Sequence, residues 1–211
     1  MLFRSTSLAE FSNPRKAGII AVDLDDGDYL IGAALTDGIH DVMLFSDGGK
    51  AVRFDEKDVR AVGRGARGVR GMALDATQSV IAMLVAEDET QSVLTATENG
   101  YGKRTNIAEY TRHGRGTKGM IAIQQSERNG KVVAATLVRP DDEIMLITDS
   151  GVLVRTRVAE IRQLGRATQG VTLIALDDEA KLIGLQRIVE NDAAEEIPGE
   201  TGANGDEGES E

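Results

Sequence analysis

Apolar residues in this chain fall in short runs closed by polar, glycine-containing turns, and the runs recur. Asp41-Val42-Met43-Leu44-Phe45-Ser46-Asp47-Gly48-Gly49 aligns with Ser92-Val93-Leu94-Thr95-Ala96-Thr97-Glu98-Asn99-Gly100 and with Glu143-Ile144-Met145-Leu146-Ile147-Thr148-Asp149-Ser150-Gly151, each copy 51 residues after the last. Val59, Tyr110 and Ile161 keep the same phase. Within a repeat the pattern predicts four strands. In the first repeat these are Val42–Phe45, Ala51–Phe54, Val69–Leu74 and Val80–Val85, with the first two joined by a glycine turn that allows positive φ. Helical periodicity is weak, whereas β-branched residues and frequent turn signals favour strands.

Four-stranded units repeated in tandem predict an all-β, propeller-like array in which each unit needs neighbours to bury its faces. Three units are expected, at 41–91, 92–142 and 143–189. Residues 8–40 read as the second half of an earlier unit. Leu8-Ala9-Glu10-Phe11 parallels Ile107-Ala108-Glu109-Tyr110, Lys16-Ala17-Gly18-Ile19 parallels Lys118-Gly119-Met120 with a shortened loop, and Gly18–Val22 and Tyr29–Leu35 supply its last two strands. Its first two strands are missing. Met1-Leu2-Phe3-Arg4-Ser5 matches no repeat position well, so the chain is expected to be a fragment whose opening residues are not native. From Glu190 to Glu211 order is not expected, because acids, Gly, Ser and Ala dominate and cannot offset the ordering entropy.

A second landmark keeps the same period. Gly63-Arg64-Gly65-Ala66-Arg67-Gly68-Val69 recurs as Gly114-Arg115-Gly116-Thr117-Lys118-Gly119-Met120 and as Gly165-Arg166-Ala167-Thr168-Gln169-Gly170-Val171, again at 51-residue steps. Glycines let a partner approach and expose N–H groups, and arginine pairs bidentately with phosphate oxygens. Around the first loop stand Arg64, Arg67 and Arg70. Around the second stand Arg112, Arg115 and Lys118, and around the third Arg162 and Arg166. Lys103-Arg104 would extend this surface, or else belong to an exposed strand. Repeated on successive units, the loops predict a curved row of positive points suited to a curved polyanion. The simpler account makes the glycines strand terminators and the arginines solvated turn residues.

The net charge of −11 divides unevenly. Nine of the 35 acids lie in 190–211 without a base, leaving 24 bases against 26 acids and a body near −2. That asymmetry signals a partner. No cysteine is present, which removes disulfides and thiolate metal sites and fits a reducing cytosol. No apolar run approaches the ~20 residues that span a bilayer, and no signal peptide is visible. His40 and His113 sit in loops of different character, so a metal site is not expected. The turn Asp23, Asp25, Asp26 and Asp28 reads as a solvated hairpin rather than a cation site. Neither a nucleophile elbow nor a Gly-Lys-Ser/Thr phosphate loop appears.

The segments Asp41–Ser46, Thr95–Thr105 and Ile147–Val158, with the acidic tail, make the chain resemble the C-terminal domain of DNA gyrase A, part of a bacterial type II topoisomerase, over residues 8–190. The resemblance implies a six-bladed β-pinwheel whose blades exchange strands. It also implies sequence-independent wrapping of double-stranded DNA on a basic rim, in ATP-dependent negative supercoiling in the cytoplasm. The remainder of gyrase A, together with gyrase B, would be partners in a heterotetramer. Catalysis, ATP and Mg would belong to other domains, leaving this chain without catalytic residue, cofactor or membrane contact. The motif Gln-Arg-Arg-Gly-Gly-Lys-Gly of the family's first blade is absent, and Gly63–Gly71 and Arg112–Gly119 occupy equivalent loops in degenerate form. An open arc would leave strand edges unpaired. The related domain of topoisomerase IV, and a propeller-like module that binds an acidic protein, are the alternative readings.

Overall fold

A computed structural model describes residues 1–177 and 179–189. Its strands are β1 (Leu2–Phe3), β2 (Asp41–Ser46), β3 (Lys50–Asp55), β4 (Val69–Arg70), β5 (Val80–Ala86), β6 (Ser92–Thr97), β7 (Tyr101–Asn106), β8 (Met120–Ile121), β9 (Val132–Val138), β10 (Glu143–Thr148), β11 (Leu153–Arg157), β12 (Val171–Thr172) and β13 (Leu182–Ile188). All ladders between them are antiparallel. Among the described residues the only helices are single 3-10 turns, and none is long and apolar enough to cross a membrane.

In each four-stranded sheet three strands are local in sequence and one edge strand is not. The sheets run β5-β2-β3-β8 and β12-β7-β6-β9, with the last one β11-β10-β13. The third strand of each repeat therefore leaves its own sheet and closes the edge of the preceding one. β8 pairs with β3, β12 with β7, and β4 with β1. Among the described residues no sheet closes on itself.

Each first strand forms a hairpin with the second across a glycine of positive φ: Gly49 (74°), Gly100 (79°) and Gly151 (84°). A β-bulge falls at the same point of each first strand, before Ser46, Thr97 and Thr148. The buried hydroxyls at these positions bridge the turn. Thr148 Oγ1 accepts from Val152 N–H at 2.9 Å, and Thr97 Oγ1 donates to the Tyr101 carbonyl at 3.1 Å. The second strand ends in a 3-10 turn capped by Ser7, Asp55 or Asn106, each accepting from the N–H two residues on. Arg157 replaces the cap in the last repeat and makes no such bond.

The core lies between successive sheets. Val42, Leu44, Val52 and Phe54 pack towards the N-terminal side, while Met43, Phe45 and Ala51 pack with Val93, Ile107 and Tyr110 of the next unit. Leu94 and Ala96 in turn meet Ile144, Leu146 and Val158. A strand covered on both faces reads as an unbroken apolar run, which is why β2 and β6 are buried throughout. β10 alternates between buried and half-buried because only one of its faces is covered.

The structure corrects the sequence reading at the N-terminal end. Leu2–Phe3 is a strand in the register of Lys50–Ala51 and Tyr101–Gly102, so the opening residues do occupy a repeat position. Leu8–Phe11 forms the 3-10 turn that its parallel to Ile107–Tyr110 implies. The strands expected at Gly18–Val22 and Tyr29–Leu35 are not formed. A third strand needs the second strand of a preceding unit, and a fourth needs the first strand of its own. Among the described residues neither lies beside this segment. The tail expected to lack order, 190–211, lies outside the described residues.

Candidate nucleic-acid interface

Each Gly-Arg loop is the crossing segment that carries the chain from its own unit to the edge of the preceding sheet. Both ends are fastened. At the start, Val62, His113 and Leu164 donate N–H to the carbonyls of Ser5, Arg53 and Arg104 at 3.0, 2.8 and 2.9 Å. At the close, Gly68, Gly119 and Gly170 have φ of 82°, 73° and 83°, and a Cβ on any of them would strike the backbone oxygen of Phe3, Ala51 or Gly102. The closing glycine is a requirement of the fold. The opening glycine is not: φ is not positive at Gly63, Gly114 or Gly165, and a Cβ at Gly114 would meet nothing within 4 Å.

Fastening decides which side chains face outward. The arginine after the opening glycine turns in. Arg64 donates to the Ile20 carbonyl at 2.6 Å, Arg115 to Arg70 at 3.3 Å, and Arg166 to Ile121 at 2.8 Å. The three acceptors are equivalent positions on the segment that precedes each loop by one repeat. All three arginines are half-buried. This arginine stitches unit to unit.

The cation before the closing glycine turns out. Arg67 is 70% exposed and Lys118 is 81% exposed. Each meets one acid from the preceding turn: Asp25 lies 2.5 Å from Arg67 and Asp75 lies 3.4 Å from Lys118. In the third loop both partners change, with Gln169 replacing the cation and Ser126 standing where the acid would be. Arg70 and Arg162 are exposed as well. Arg112 is half-exposed and pairs with Asp41 at 2.9 Å and Asp55 at 3.6 Å.

Lys103 is not at the surface, unlike the position either sequence reading gave it. It has no exposed area, and its Nζ donates to the carbonyls of Gly165 (2.5 Å) and Arg166. Burial pushes its pKa down to about 8, partly opposed by Glu109. Arg4 occupies the same phase and donates to the carbonyls of Arg64 and Ala66 (2.9 Å), while the intervening unit has Val52 there. Arg104 is half-buried and gives its Nε–H to the Ile161 carbonyl at 2.7 Å. Its counterpart Arg53 donates to Ile107 and Tyr110 carbonyls at 3.0 and 3.1 Å and pairs with buried Asp41 at 2.7 Å.

Two groupings escaped the sequence reading. Arg60 is exposed and lies two periods before Arg162, so the repeat itself could have flagged it. His40 Nδ1 lies 2.8 Å from Asp37, and Glu56 accepts the His40 N–H at 2.7 Å; all three side chains could share a cation. Glu56 belongs to the next hairpin, which spacing along the chain does not disclose. As it stands the cluster ties the loop before β2 to the 3-10 turn after β3.

The family model "DNA gyrase C-terminal domain, beta-propeller" matches residues 4–37, 40–87, 91–139 and 142–188. The DNA gyrase A protein of Pseudomonas aeruginosa is 53% identical over 187 residues, covering 89% of this chain and 20% of that relative. Its Salmonella typhimurium counterpart is 52% identical over 206 residues, covering 97% and 23%. The chain thus spans about a fifth of the length of these relatives. A solved DNA gyrase A C-terminal domain superposes with a TM-score of 0.75 at 30% identity, over 82% of this chain and 59% of that one. The C-terminal domain of DNA topoisomerase IV shares the fold, with a TM-score of 0.84 at 23% identity, over 89% and 58%.

Proposed function

Since this chain belongs to the DNA gyrase C-terminal-domain family, we propose that it binds double-stranded DNA without regard to sequence, along the outward side of its Gly-Arg loops. The observation that carries this is the opening glycine. It stands in all three loops, yet the fold makes no demand for it, so the reason for it is sought outside the chain. A bare backbone beside outward cations suits a phosphate backbone at close range. The contacting cations are Arg67, Arg70, Arg112, Lys118 and Arg162, with Arg60 added. Arg64, Arg115, Arg166, Arg104 and Lys103 act from beneath, holding the loops in place.

Equivalent loops on successive sheets favour a bent duplex. Bending 20–30 bp by 40–90° costs on the order of 1–6 kcal/mol. Counterion release at several phosphates offsets that cost and makes binding steeply salt-dependent. In complete gyrase A, with gyrase B, such wrapping would bias the handedness of the DNA presented for ATP-driven supercoiling. Cleavage and ATP hydrolysis would belong to other parts of the enzyme.

A topology assay tests the wrapping. Nicked circular DNA is sealed in the presence of the protein and its linking number is read after deproteinisation. A shift in linking number that grows with protein supports the reading. Binding without any shift would reduce it to simple attachment, and no binding by the folded chain would overturn it.

A further inference from the structure

One backbone frame is built three times, where the chain enters each hairpin. The residue that opens the 3-10 turn after the second strand donates its N–H to the carbonyl of the residue before the first strand. Glu56 donates to His40 at 3.1 Å, Ile107 to Gln91 at 3.3 Å and Val158 to Asp142 at 2.9 Å. The frame sets these two side chains beside each other in every unit. Only in the first of the three can both members ligate a metal. Ile107 and Val158 hold the same place as Glu56, and Gln91 the same place as His40, so the frame demands neither the acid nor the imidazole.

A third ligand joins that pair. Asp37, three residues before His40, brings a carboxylate oxygen to 2.8 Å from His40 Nδ1. Each of the three side chains offers a ligand atom within 4.8 Å of the other two. Two further observations point to a cation. His40 Nδ1 is buried and makes no hydrogen bond, because the Asp37 oxygen, though near, is not placed to accept from it. Among the described residues no lysine or arginine pairs with Asp37 or Glu56. Each carboxylate is oriented through one oxygen: Glu56 accepts the His40 N–H at 2.7 Å and Asp37 accepts the Ile39 N–H at 3.2 Å.

We propose that Asp37, His40 and Glu56 bind one divalent transition-metal ion of the zinc class, with His40 Nδ1 as the nitrogen ligand. The imidazole decides the class. Magnesium and calcium favour shells of oxygen, whereas zinc takes imidazole together with carboxylates. Three protein ligands leave a fourth position to water, and Asp37, 58% exposed, opens that side to solvent. Around a tetrahedral ion with bonds of about 2.1 Å, ligand atoms stand about 3.4 Å apart. Small side-chain rotations reach that spacing from the present arrangement. The ion clamps the linker at 37–40 to the end of β3 and stiffens the entry to the β2–β3 hairpin. The assignment does not rest on the DNA-binding reading.

Calorimetric titration of the metal-stripped 211-residue chain with zinc chloride tests it. The wild type is expected to take up one ion per chain saturably and to gain a higher denaturation midpoint. His40→Gln places at 40 the residue that the next unit already uses at 91, and Glu56→Gln keeps the shape of the side chain without its charge. Each is expected to keep the metal-free midpoint and to bind zinc about tenfold more weakly or worse. His113→Gln is expected to bind like the wild type. Proton NMR reads the site without any substitution, since the chain has only 2 histidines. The His40 ring signals should move on zinc addition and those of His113 should not. No uptake by the wild type, binding that is equal in all four proteins, as retention by the acids of 190–211 alone would give, or His40 signals that stay still while zinc binds would overturn the proposal.

Discussion

At the scale of single residues, three positions separate what holds the fold from what faces outward. Gly119 has positive φ and no room for a Cβ against Ala51. Gly119→Ala should cost about 1–3 kcal/mol by strain and displacement, read as a lowered denaturation midpoint. Gly114→Val, five residues away in open space, should leave the midpoint unchanged while weakening DNA binding. Asp41 is buried between Arg53 and Arg112. Removing it leaves Arg53 with the exposed Glu89, 3.2 Å away, as its one remaining carboxylate partner, so Asp41→Ala is expected to lose up to about 3 kcal/mol of stability in denaturant titration.

Lys103 gives a pH signature. Its folded pKa, near 8, lies below its ordinary 10.5. Between those values the unfolded chain holds the proton that the folded chain has lost, so this group makes stability rise with pH across that window. Below pH 8 the burial cost is carried in full. The neutral amine still has N–H groups for the Gly165 and Arg166 carbonyls. Measured against Lys103→Met, the wild-type stability should gain from pH 8 to 10.5. A flat difference would contradict the assignment.

At the scale of elements, the hairpins and their turns were legible because both signals are local. Glycine fixed the turn at Gly49, Gly100 and Gly151, and unbroken apolar runs marked strands covered on both faces. The crossing loops were legible as repeats but not as parts of neighbouring units. Arg64, Arg115 and Arg166 look like surface cations until the exchanged strand brings a carbonyl from the preceding repeat beneath them. Lys103 looks exposed until loop 165–170 covers it. The same exchange explains why the strands expected at 18–22 and 29–35 are not formed: among the described residues no partner strand lies beside them. The pairing of Arg67 with Asp25 and of Lys118 with Asp75 was equally hidden, since it joins different repeats. These exposed pairs contribute little to stability. Asp75→Asn should therefore leave folding intact and raise DNA affinity several-fold at low salt by freeing Lys118, a change that filter binding would detect.

At the scale of the whole molecule, a body near neutrality binds a polyanion only if its charges are sorted. The in-phase loops do that sorting, setting outward cations at equivalent points on successive sheets while the acids between them are partly paired. The central claim is that these outward cations, rather than the inward arginines, meet DNA. It is tested most directly by the slope of log affinity against log salt for random-sequence duplex DNA. The wild type is compared with the combined variant Arg67→Ala/Arg112→Ala/Lys118→Ala/Arg162→Ala. Each phosphate that is no longer neutralised should flatten the slope by about 0.9. A variant of unchanged stability whose slope flattens by about 3–4 fits the account. An equally stable variant that keeps the wild-type slope would contradict it.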